Sequence, residues 1–129
     1  MYPTAFTKVK KSMNNEKFVD GLKLHVRDAA VSDVISKLKE PPGRRILPQI
    51  KLLSEWYNSL AEDDIAKVNS IIELTAHEVL FGVLTVLDGA RVIDEEKGQL
   101  ELIYETPDKR VMLNNPSEIG LHELLNASN

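Results

Sequence analysis

From Ile65 to Leu84 apolar side chains return every three or four residues: Ile65, Val68, Ile71, Ile72, Thr75, Ala76, Val79, Leu80, Val83 and Leu84. That is a helical period held for about six turns. No other stretch of the 129 residues is as long or as apolar, so the fold must be arranged around one long central helix. From Val79 onward nearly every position is apolar, which predicts burial on most sides. The acid run Glu62-Asp63-Asp64 stands where a helix N-terminus favours negative charge. Asp88-Gly89 suits the other end, because glycine takes the left-handed conformation common just past a helix C-terminus.

The flanking segments supply smaller elements. Asn14-Asn15 offers a cap, and Phe18, Val19, Leu22, Val26, Ala29 and Ala30 predict an amphipathic helix over residues 15–29. Val31, Val34, Ile35 and Leu38 continue the stripe out of phase, with Ser32 and Asp33 able to cap a new start, so a break or kink is expected near Ala30 to Ser32. Glu40-Pro41-Pro42-Gly43 then stops the helix, since proline forces its predecessor out of the α region and donates no backbone hydrogen bond. Pro48 is acceptable in a first turn, and Ile50, Leu53, Trp56, Tyr57 and Leu60 form the face of a further helix, with Trp56 expected in the core.

Beyond Gly89 the period shifts toward two. Arg91 to Ile93 reads as a short strand, Asp94 to Gly98 as a turn, and Gln99 to Glu105 as a strand carrying Leu100, Leu102 and Tyr104 on one face. Thr106 to Lys109 is a second turn and Arg110 to Leu113 a third strand. Asn114-Asn115-Pro116-Ser117 leads into a last helix capped by Ser117 and carrying Ile119, Leu121, Leu124 and Leu125. The expected fold is mostly helical α+β: about five helices around a long central helix, a small two- or three-stranded antiparallel sheet and a C-terminal helix. Residues 1–12, polar and without period, read as a flexible N-terminal arm, and residues 13–129 as a single globular domain.

Several chemistries are excluded or weakened. The chain has no cysteine, so thiol catalysis, zinc ribbons and disulfide frameworks drop out. Its six glycines are scattered, with no phosphate-cradling loop and no nucleophile elbow. Glu73 and His77 stand four apart on one helical face, a spacing that could supply two metal ligands. They are not part of an HExxH motif and lack a repeated Glu-x-x-His, so an ordinary surface pair is expected. His25 near Asp28 and His122-Glu123 are weaker still. No catalysis, metal or cofactor is expected. The run Val79 to Leu87 is short for a bilayer and the N-terminus lacks an apolar leader core, so the expectation is a cytoplasmic chain with no membrane association.

Charge is unevenly distributed. Residues 1–51 carry +6 and residues 52–129 carry −10, giving the net −4. Glu62, Asp63 and Asp64, with Asp94, Glu95, Glu96, Glu101 and Glu105, form acidic groups suited to steering a basic protein partner. The alternative is a nucleic-acid-binding or transcriptional regulator using the basic first half, which holds Lys8, Lys10, Lys11, Lys17, Lys23, Lys37, Lys39, Arg44, Arg45 and Lys51. The irregular joint between Leu38 and Ile50 argues against a helix-turn-helix. In size, acidity, absence of cysteine and lack of catalytic motifs the chain resembles small acidic bacterial immunity proteins. That resemblance implies a non-catalytic module neutralising a cationic, nuclease-like toxin by covering its active site, and it carries no site residue over.

Overall fold

Asn14 opens the first regular element: its side-chain oxygen accepts the amide of Lys17 at 2.8 Å, the N-cap bond its position predicts. The computed structural model describes residues 12–127, so all of the expected arm except Ser12 lies outside the described residues. Helix α1 (Asn15–Leu22) continues through a π-helical segment (Lys23–Asp28) into α2 (Ala29–Lys39) as one uninterrupted rod. No break occurs near Ala30 to Ser32. The phase shift is absorbed earlier, because a π turn takes up one more residue than an α turn. The inward positions therefore step from Leu22 to Arg27, and then to Val31, Ile35 and Leu38, while Leu24 and Val26 face solvent.

The rod stops before Pro41, and Gly43 takes a left-handed φ of 83° in the turn that follows. Helix α3 (Pro48–Ser59) then packs back on α2 through polar side chains. Ser54 Oγ donates to the Leu38 carbonyl at 2.7 Å, and Asn58 Nδ2 reaches the Leu38 and Lys39 carbonyls, each at 3.2 Å. Carbonyls at a helix C-terminus have no intrahelical partner, and α3 supplies one. This requirement fixes the rotation of α3. Tyr57 turns inward, fully buried, with its hydroxyl donating to Asn69 Oδ1 at 2.8 Å. Trp56, expected in the core, is left 52% exposed beside Leu52 and Leu53.

Helix α4 (Glu62–Leu87) begins and ends where its acid run and Asp88-Gly89 predict. Leu80 and Leu84 pack with Val19 of α1 and with Leu121 and Leu125 of α5 (Leu121–Ala127), and Phe18, Leu22, Phe81, Leu87, Leu102 and Leu124 surround them. The apolar core lies on one side of α4, and the returning loop covers Gly82 and Thr85 on another. Across the helix, Ile71, Val79 and Val83 are 62%, 63% and 53% exposed; from Val79 to Leu87 all positions but Val79 and Val83 are buried or half-buried, so burial on most sides holds there and the expectation misses only a narrow open strip. Periodicity marks which positions are apolar; it does not count the elements available to cover them. By length and composition alone α4 could cross a membrane, with a mean hydropathy of 1.6 over its most apolar 18 residues.

Strands β1 (Ile103–Thr106) and β2 (Lys109–Met112) form a two-stranded antiparallel sheet, pairing Ile103 with Met112 and Glu105 with Arg110 around a Pro107-Asp108 turn. Arg91 to Ile93 is not a strand, and no hairpin forms around Asp94 to Gly98. The amides of Ala90 and Arg91 both donate to the Thr85 carbonyl, at 2.9 and 3.2 Å, and fold the chain back onto α4. Ser117 does not cap the last helix: its amide and hydroxyl both donate to Asn115 Oδ1, and α5 starts four residues later. With α1 and α2 fused into one rod, the described residues hold four helical bodies, against the five or so expected around α4. Because Leu84 is fully buried where α1, α4 and α5 meet, Leu84→Ala is expected to destabilise the fold by about 2–5 kcal/mol, read as a lower urea midpoint with unchanged slope.

Candidate functional site

The connection between α4 and β1, residues 88–102, is the longest irregular stretch among the described residues. Asn114 closes it. Its Nδ2 donates to the Leu87 carbonyl at 2.7 Å and to the Leu100 carbonyl at 2.8 Å, while its Oδ1 accepts the Leu102 amide at 2.8 Å. Two donors meet two carbonyls and the acceptor meets an N–H, so one buried amide ties both ends of the segment together. The result resembles an Ω-loop, a compact excursion with its ends drawn close.

The start of the loop is fixed as firmly. Gly89 takes a φ of 77°, which a side chain would resist. Arg91 lies over Gly82, where an added Cβ would stand 2.9 Å from the guanidinium, so Gly82 serves the close approach of another element. Asp88, nearly buried, accepts the His122 amide at 2.9 Å and pairs with His122 Nδ1 at 2.5 Å. A side chain 34 residues away thus provides the N-terminal bond of α5, and Phe81 meets the His122 ring edge-on.

Between these anchors the loop is open. Every residue from Arg91 to Glu101 is exposed, including Val92 at 81% and Ile93 at 78%. The loop borders a 720 Å³ cavity lined by Val86, Leu87, Val92, Ile93, Leu100 and Pro116 among others. Asp94, Glu95 and Glu96 line it together with the cationic Arg91 and Lys97, and among the described residues no ion pair engages the three acids or Glu101. Glu105 sits on β1 opposite Arg110, with 3.8 Å between the charged groups. Glu62, Asp63 and Asp64 lie at the opposite end of α4, whose 26 residues span about 39 Å. The acidic residues therefore form two groups, one at each end of α4, and not one continuous surface.

The Glu73 and His77 pair has a different surrounding. Arg27, turned inward by the π segment, places Nη1 3.1 Å from His77 Nδ1, and His77 Nε2 is 2.9 Å from Asn126 Oδ1. A guanidinium can only donate, so His77 Nδ1 accepts, and the neutral ring donates from Nε2 to Asn126. Both ring nitrogens are engaged, which leaves no lone pair for a metal. Among the described residues no group of three or more His, Asp or Glu side chains could hold one. The arrangement joins the rod, α4 and α5 beside an open 600 Å³ groove lined by Arg27, Asp28, Val31, Glu73, Leu74 and His77 among others. π turns are frequent at functional sites, but this arginine is committed to Asp28 and His77.

Of the basic first half, Lys8, Lys10 and Lys11 lie outside the described residues. Lys17 and Lys23 stand near one end of the rod, and Lys37 and Lys39 near the other. Lys37 pairs with Asp33 at 2.9 Å. The connection from α2 to α3 occupies residues 40–47, longer than the three or four residues of a helix-turn-helix.

Sequence inspection finds the acids and the glycines but not Asn114, which reads as part of a turn, nor Arg27, whose only trace is the phase shift in the apolar stripe. No protein-family model, curated protein or solved structure matches this chain. Replacing Asn114 with alanine strands two carbonyls and an amide, each costing about 1–3 kcal/mol if left unpaired. Hydrogen exchange is expected to accelerate at the Leu102 amide in N114A while the Leu84 amide keeps the slow exchange of the core.

Proposed function

We propose that this chain is a non-catalytic protein-binding module whose partner is a cationic protein, engaged through the clamped loop of residues 88–102. The observation that carries this reading is the exposure of Val92 and Ile93 directly beside Asp94, Glu95 and Glu96, on a loop whose two ends are pinned by Asn114. Apolar side chains held open on a fixed loop gain free energy when a partner covers them. The neighbouring carboxylates raise the encounter rate and select a basic surface. A loop already anchored loses less conformational freedom on binding than a free segment would.

Neutralisation is the specific form proposed, with the acidic loop covering the active site of a basic, nuclease-like toxin. An active site that binds phosphate is positively charged, and carboxylates on a neighbouring protein can occupy the same field. Purification of the chain with its partner from its native source tests the reading. Exchanging Asp94, Glu95 and Glu96 for lysine is expected to abolish the complex, while milder exchange for asparagine and glutamine weakens it and flattens its salt dependence. A complex equally tight with all three lysines would place the interface elsewhere.

A further inference from the structure

Helix α3 turns outward an apolar row that its own polar contacts with α2 hold away from the core. Leu47, Leu52 and Trp56 are more than half exposed, and Leu53 is 43% exposed. At about 100° per residue Leu52 and Trp56 mark the middle of this face, opposite Ser54 and Asn58, with Leu53 on one flank. The two charged residues of α3, Lys51 and Glu55, stand one turn apart on the other flank, both exposed.

Charge beyond the two ends of α3 differs in sign. Arg44 and Arg45 lie in the exposed turn just before Pro48, and Glu62, Asp63 and Asp64 open α4 just after Ser59. Among the described residues no ion pair engages Arg44, Arg45, Lys51, Glu55, Glu62 or Asp63, and Asp64 meets Lys67 only at 3.8 Å. Lys39 and Glu40 end α2, which lies behind α3 on the Ser54 and Asn58 side. Along the outer face the order is therefore base, apolar, acid, over about 18 Å of helix.

We infer that this face pairs with the same face of a second copy, the two α3 helices running antiparallel about a two-fold axis. An axis near Leu53 and Ser54 sets Leu52 of each copy against Trp56 of the other, and Lys51 of each against Glu55 of the other on a single flank. The same axis brings Arg44 and Arg45 of each copy toward Glu62 and Asp63 of the other. An isologous contact needs a surface that complements itself, and a face whose sign reverses from end to end does so when antiparallel; a parallel pair sets like against like at both ends. An anionic lipid surface favours a helix with a basic polar flank and would meet Glu55 and the acids of α4 as well. The chain has the surface for such a contact. It exposes 10208 Å², whereas a compact monomer of 14.5 kDa exposes about 6,900 Å². Residues 1–11 and 128–129 add at most about 2,100 Å². The remaining surplus, about 1,200 Å², exceeds the roughly 800 Å² that each partner gives to an interface of standard size. The inference is separate from the loop reading, since α3 and the loop stand at opposite ends of α4.

Sedimentation velocity of the full chain over about a hundredfold range of concentration tests the pairing, and a monomer–dimer equilibrium is expected. Lys51→Glu leaves only acid on that flank of α3 and Glu55→Lys only base, so each variant alone is expected to dimerise about tenfold more weakly. An equimolar mixture of the two is expected to form a heterodimer at least as tight as the unmodified homodimer. Both positions are exposed, and the melting curve of the monomer should not move. Leu52→Ala and Trp56→Ala each weaken the dimer as well, whereas lysine in place of Asp94, Glu95 and Glu96 leaves it unchanged. A chain that is monomeric throughout, single variants that associate as tightly as the unmodified chain, or a mixture no tighter than either variant alone overturns the inference. A dimer lost with the three loop lysines puts the contact at the loop and also overturns it. Binding to anionic vesicles that Trp56→Ala abolishes, without a dimer, assigns the face to lipid with the same result.

Discussion

Leu84 is fully buried among Val19, Leu121 and Leu125, and this contact holds together parts of the chain about a hundred residues apart. Helix α5 has seven residues, too few to persist alone in water, so its existence depends on burying Leu121 and Leu125 against α4. Asp88 completes the joint by accepting the His122 amide from the end of the same helix that carries Leu84. The first turn of the loop is thereby tied to the core, and Asn114 ties the last. The acidic segment owes its fixed position to a hydrophobic contact it does not touch.

The same contact explains why so much apolar surface stays outside. Val19, Leu121 and Leu125 all approach α4 from one side, and the N-terminal half of α4 meets α2 and α3 through contacts such as the Tyr57–Asn69 hydrogen bond. Nothing among the described residues is left to cover Ile71, Val79 and Val83. In α3 the cause is different. The orphan carbonyls of α2 need donors, Ser54 and Asn58 supply them, and the apolar side holding Leu52, Leu53 and Trp56 is rotated outward as a consequence. A net hydrogen bond contributes about 1 kcal/mol, and the bond from the buried Ser54 to the Leu38 carbonyl is the part-buried one of the three. Polar satisfaction can therefore decide a rotation that apolar burial alone would set the other way.

These competing demands mark the limit of what the amino-acid sequence makes legible. Signals that act within a few residues came through: the Asn14 cap, the proline stop after Lys39, Pro48 in a first turn, Gly89 past the end of α4, and the turn at Pro107-Asp108. The out-of-phase stripe on the rod was visible too, but a broken helix and an inserted residue shift phase alike, and only the continuous backbone identifies the π turn. What failed depends on distant partners. Alternation at Arg91 to Ile93 needs a neighbouring strand, and the Thr85 carbonyl takes the amides at its start instead. The cap of α5 comes from Asp88, so Ser117, local and chemically suitable, is used elsewhere. In the candidate site the acids were legible as residues; their division between two ends of α4 follows from the length of the helix, and the clamp at Asn114 from contacts reaching up to 27 residues back along the chain.

Glu62, Asp63 and Asp64 favour the N-terminus of α4, but stability gives no such reason for the acids of the loop. The pairs Asp64–Lys67 and Glu105–Arg110 are exposed and 3.8 Å apart, and such pairs contribute about 0–1 kcal/mol. Asp94, Glu95 and Glu96 stand beside one another with no basic partner among the described residues, and like charges held close oppose the compact state. Val92 and Ile93 next to them forgo burial that the core, with only a few fully buried side chains, could have used. A sequence selected for folding alone would pair those charges or cover those side chains. Both features oppose stability in the isolated chain. In the isolated chain this segment is therefore held in place by the clamp at Asn114 and the joint at Asp88, not by burial or pairing of its own side chains.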